Sequence, residues 1–138
     1  MFEKVRWHVD GRILITEFSG IVSLEDVKKS SKLAVMMINN EKQPPATHII
    51  ADVSDVSKLD ASILKLHPMR EAITPLLSNP HIGWLVLVDP EPNHVMLFII
   101  KTITELTSRR MRVVPTLQQA LHFIDDIDPT INIPPDNS

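Results

Sequence analysis

The sequence predicts a single α/β domain on a mixed, mostly parallel sheet of about five strands, covered by about four helices. Three observations carry this prediction. The chain opens with two alternating segments joined by Asp10-Gly11, the pattern of an antiparallel hairpin. Short apolar runs then alternate with amphipathic stretches, which implies right-handed βαβ crossovers and parallel neighbours. Finally, 138 residues at 43% apolar and 22% charged match the size and composition of one globular domain.

In chain order, residues 4–10 place Val5, Trp7 and Val9 on one side of a first strand. Residues 13–18 form the second strand, ended by Ser19-Gly20. Ser23 then offers a helix cap. Glu25 and Asp26 sit at the positive end of that helix dipole. Val27, Leu33, Ala34, Met37 and Ile38 give the helix an apolar stripe up to Asn39-Asn40, and Lys28, Lys29 and Lys32 cover the other side. Residues 47–53 are a short, buried type of strand. A second helix over 60–77 contains Pro68 and Pro75. Proline costs about 3 kcal/mol in a helix interior, so a kink or two shorter helices are expected.

Residues 82–88 (IGWLVLV) are the most hydrophobic strand and the natural centre of the sheet. A third helix is predicted over 92–107 with Pro92 in its first turn. Residues 111–114 form a short strand, and Thr116 caps a last helix over 117–124. The domain therefore spans 1–127. Residues 128–138 (DPTINIPPDNS) carry three prolines and little to bury, and are expected to be a flexible tail.

Composition removes several kinds of chemistry. The net charge is −3, and the only basic cluster, Arg109, Arg110 and Arg112, has no interleaved aromatics, so a nucleic-acid partner is not expected. With no cysteine there can be no disulfide, thiolate nucleophile or cysteine-held metal. Cytoplasmic localisation is the expectation, because the opening residues read as a strand and no apolar window reaches membrane-spanning length. The six histidines, His8, His48, His67, His81, His94 and His122, form no metal-ligand spacing. His122 lies three and four residues before Asp125 and Asp126, a geometry that also suits a solvated last turn. His48, on an apolar strand, reads as a satisfied or edge histidine. Three glycines leave no material for a phosphate-cradling loop. Neither catalysis nor a cofactor is therefore expected.

The run Val95-Met96-Leu97-Phe98-Ile99-Ile100 has no polar residue. One stripe of it would face the sheet, leaving Leu97 and Phe98 turned elsewhere. They are either deeply covered or a self-association surface, which would make the chain a homodimer.

After the third strand comes Asp52-Val53-Ser54-Asp55-Val56-Ser57-Lys58-Leu59-Asp60-Ala61-Ser62-Ile63-Leu64. Here an apolar strand ends in Asp-apolar-Ser, and a second Asp opens a turn into the next helix. Asp52, Ser54, Val56, Asp60, Ser62 and Leu64 fit this pattern without a gap. The segment resembles the signature region of STAS domains, the family of sulfate transporters and anti-sigma factor antagonists. Element order agrees over residues 3–124. The resemblance implies a non-catalytic regulatory domain that binds a partner protein, such as an anti-sigma kinase or another regulator. Asp52, Ser54, Asp60, Ser62 and Leu64 would then lie on its contact surface. Antagonists of this family are phosphorylated on the turn residue matched by Ser62. This chain departs from the pattern at Ala61, where the family has a serine, and at Ile63, where it has glycine. Physics alone leaves Ser62 as a phosphoacceptor or as a plain first-turn polar residue behind an Asp60 cap. The alternative function is a homodimeric carrier or sensor of a small apolar, lipid-like ligand, held among the Met, Ile and Leu residues between sheet and helices.

Overall fold

A computed structural model describes residues 1–41, 46–91 and 110–136. The elements are β1 (Phe2–Val9), β2 (Ile13–Val22), α1 (Leu24–Asn40), β3 (Thr47–Leu59), a 3-10 turn (Ala61–Leu64), α2 (Leu66–Leu77), β4 (Ile82–Val88), β5 (Met111–Val114) and α3 (Leu117–Ile127). The helix predicted over 92–107, with Leu97 and Phe98, lies outside the described residues.

The five strands stand in the order β1-β2-β3-β4-β5. β1 pairs antiparallel with β2, and every later pair is parallel. Gly11, at φ 72°, makes the predicted Asp-Gly hairpin turn. Both faces of the central strands are buried, because side chains alternate and each face carries a layer. Ile13, Ile15, Ile50, Val86 and Val88 pack with Ala120, Leu121 and Ile124 of α3. Leu14 and Ile49 pack on the opposite face with Ala34 and Ile38 of α1 and Leu76 of α2.

Two strands run further than the sequence predicts. β2 continues through Ser19-Gly20 to Val22, and β3 continues past Val53 to Leu59. The two extensions are mutually dependent: Ser19 to Val22 pair with Asp55 to Leu59, with register slips on either side of Gly20. Gly20, at φ 59°, absorbs the irregularity instead of ending the strand. The helix predicted over 60–77 resolves into the 3-10 turn and α2. Pro68 falls in the first turn of α2, where its missing N–H would have had no intrahelical partner, and Pro75 lies inside the helix.

The segment after α3, expected from its composition to be a flexible tail, makes contacts with the core. Ile131 is buried in the core, and Ile133 packs against it. The His8 Nε2–H donates to the Pro134 carbonyl at 2.7 Å, and Arg6 lies 3.5 Å from Asp136. A segment poor in its own core residues is held through residues far away in sequence.

Asp128 is the main anchor. Its Oδ2 accepts from the Arg12 guanidinium at 3.0 Å and from His48 Nε2 at 2.9 Å. His48 is buried, and its Nδ1 accepts the Trp84 backbone N–H at 3.0 Å. That donor fixes the tautomer: Nδ1 is bare and Nε2 carries the proton. The imidazole stands close to Gly83, so a Cβ built there would lie 2.6 Å from two of its ring atoms. Gly83→Ala should therefore lower the unfolding free energy by about 1–3 kcal/mol, since the ring is held at both nitrogens and cannot withdraw. Urea denaturation followed by tryptophan fluorescence checks this.

Candidate functional site

The sequence-predicted site residues occupy the end of the sheet where β2 and β3 extend toward the start of α1. Asp52 is on β3 opposite Glu17 and Val88. Its Oδ1 accepts the Ser54 backbone N–H at 3.0 Å and the Ser54 hydroxyl, so this carboxylate closes a local turn. Asp60 is the cap of the 3-10 turn, and its Oδ1 accepts the Ser62 N–H at 2.9 Å. Its own N–H donates to the Val22 carbonyl at 2.8 Å, which ties the turn to the end of β2.

Ser62 is half-buried, and its Oγ accepts the Leu24 N–H at 3.0 Å. Leu24 is the first residue of α1, so one hydroxyl joins the 3-10 turn to that helix's N-terminus, 38 residues away in sequence. The rest of the α1 start is a capping box. The Ser23 hydroxyl accepts from the Asp26 N–H at 3.3 Å, and Asp26 accepts from the Ser23 N–H at 2.8 Å. Ile63 is buried with Val22 and Leu77 and fixes the turn to the core. The position where STAS turns carry glycine is here an anchor. Leu64, by contrast, is 56% exposed and Ile21 is 58% exposed, both large apolar residues in water.

Three carboxylates sit below their usual range. Hydrogen bonds from the Ser62 backbone and hydroxyl hold Asp60 down. Burial alone would raise Asp26, but the bonds from Ser23 and from the Phe2 N–H outweigh it. Burial also opposes ionisation of Asp128, and is outweighed by Thr130, His48 and the Arg12 charge. A lowered folded pKa means that the unfolded chain takes up protons first as the pH falls. The stability these groups contribute is complete above the ordinary value of 3.8 and is lost as pH drops through the lower folded values. The urea midpoint should therefore fall between about pH 5 and pH 2, and less steeply in Asp128→Asn.

Elsewhere, Arg6 joins Glu17 at 3.3 Å and Asp136 at 3.5 Å. Exposed His67 pairs with Glu71 at 3.0 Å, and exposed His122 lies 3.5 Å from Asp126, each one helical turn apart. Arg112 lies 4.7 Å over the Phe123 ring. Among the described residues no three His, Cys, Asp or Glu group as metal ligands, and no helix is long and apolar enough to cross a membrane.

Beneath the turn, between the sheet and the α1–α2 layer, is a cavity of about 150 Å³. Phe18, Val27, Ile63, Ile73, Leu85 and Met111 are among its walls. Sequence reasoning anticipated apolar material there but not the void, which depends on how three elements meet. Nor did it connect Ser62 to Leu24 or His48 to Asp128. A histidine on an apolar strand does signal that a polar partner must exist somewhere.

No family model matches the chain, and no curated protein does. Solved structures do. The anti-sigma factor antagonist SpoIIAA in its unphosphorylated form superposes with a TM-score of 0.55 at 15% identity, covering 96% of this chain and 100% of that one. The Bacillus cell fate determinant SpoIIAA in its phosphorylated form gives 0.55 at 13% identity, over 90% and 99%. An uncharacterized DUF3478 protein with a SpoIIAA-like fold, from Shewanella loihica PV-4, gives 0.56 at 10% identity, over 89% and 91%. At these identities the likeness concerns architecture, and the chain has the STAS-like fold of SpoIIAA.

Proposed function

We propose that the chain is a cytoplasmic, non-catalytic regulatory domain that binds a partner protein through the surface around Asp52, Ser54, Asp60, Ser62 and Leu64. The observation that carries this reading is the Ser62 hydroxyl on the Leu24 N–H, beside exposed Leu64. A serine that joins two elements at the rim of an exposed apolar patch is placed to report a change of charge. A phosphate on Ser62 would bring about −1.5 to −2 charges to the α1 N-terminus. The helix dipole favours that charge, while nearby Asp60 opposes it. The turn would have to move relative to α1. The partner is an anti-sigma kinase-like protein or another regulator. SpoIIAA, known in phosphorylated and unphosphorylated forms, supports the reading by analogy of fold. Binding measured for Ser62→Asp and Ser62→Ala tests it.

The cavity favours a second reading, a sensor or carrier of a small apolar ligand. Among the described residues, its side-chain walls are apolar except for the hydroxyls of Thr16, Ser30 and Ser31.

A further inference from the structure

One hydroxyl in the cavity wall is unmatched. Ser31 on α1 is 3% exposed, and its Oγ has no hydrogen-bond partner. The other two hydroxyls are committed: Ser30 donates to the Val27 carbonyl at 3.0 Å and Thr16 to the Ile50 carbonyl at 3.4 Å. Native proteins pair nearly all buried polar groups, because leaving one unpaired is costly.

We propose that the cavity binds a small uncharged molecule with a compact apolar body and a single hydroxyl, which is held by Ser31. This rests on the ligand-sensor reading and names its ligand class. Volume sets the size: an apolar cavity of about 150 Å³ accommodates benzene. A long acyl chain has more than twice as many carbons as benzene and would have to extend out of this volume, so a compact ligand fits it better. The lining set also excludes ions. Among the described residues it contains no charged side chain, so a carboxylate or ammonium would lose its hydration without a counter-charge from them. Serine can donate and accept, which suits a phenol or an alcohol. Ile63 links the cavity to the outer surface, because it forms part of the wall and is flanked by Ser62 and Leu64.

The test titrates full-length protein with phenol and with benzene, following backbone amide shifts by NMR. Wild type should bind both, with shifts centred on Ser31 and Ile63. Ser31→Ala should weaken phenol about tenfold, the worth of one hydrogen bond, and leave benzene within twofold. If Ser31→Ala leaves phenol unchanged while benzene binds, the hydroxyl assignment is overturned and an apolar pocket remains. If neither molecule binds wild type, the assignment and the ligand-sensor reading fall together, and the partner-binding reading is untouched.

Discussion

Asp128→Ala should lower the unfolding free energy by about 2–3 kcal/mol, with Asp128→Asn costing less than half as much. Asp128 is the common acceptor for Arg12, His48 and Thr130. Arg12 keeps other partners when it goes, the Ala46 carbonyl at 3.2 Å and the Thr130 hydroxyl at 3.1 Å. His48 has none in reserve. Its Nδ1 is occupied by the Trp84 N–H, so the ring cannot turn over to satisfy a bare Nε2–H. Asparagine retains a carbonyl oxygen and preserves part of the network. Loss of the carboxylate also releases the chain that delivers Ile131 to the core, which adds apolar exposure to the polar cost. Chemical denaturation with Trp7 and Trp84 as probes measures both variants. An Asp128→Ala protein within about 0.5 kcal/mol of wild type would mean that the segment after α3 contributes little.

Ser62→Asp should weaken the partner contact at least tenfold, and Ser62→Ala should leave it within about threefold. Alanine gives up one hydrogen bond to Leu24 but adds no charge, and Ile63 still holds the turn in the core. Aspartate adds charge next to Asp60, whose carboxylate is already held ionised by the Ser62 N–H. If both variants bind as wild type does, Ser62 plays no part in switching.

How far the sequence could be read depended on the range of the forces involved. The hairpin, the Ser23 cap, the Asp60 cap and the apolar run of β4 are set by neighbours within a few residues, and these were legible. The strand extensions were not. Ser19-Gly20 has the composition of a stop, and only the pairing of β2 with β3 turns it into a bulge. The prolines after α3 suggested looseness, whereas Ile131 and Asp128 find their partners on β2 and β3. For the site, the motif from Asp52 to Leu64 located the residues. Ser62 on Leu24 and unmatched Ser31 in a void are products of packing, for which a single sequence carries no local signal. Ile63 shows the converse. As a departure from the STAS turn it counted against that motif, and in the fold it is the anchor of the turn.

The exposed face beside Ser62 is proposed to dock a partner protein. Site-specific photo-crosslinking in the native cell tests it most directly, with the crosslinker at Leu64 in one protein and at Met36 in another. Both positions are exposed, but Met36 lies toward the far end of α1. A discrete protein adduct from Leu64, absent from Met36 and lost when Ser62→Asp is added, is the predicted result. No adduct from Leu64, or the same adduct from both positions, would contradict it.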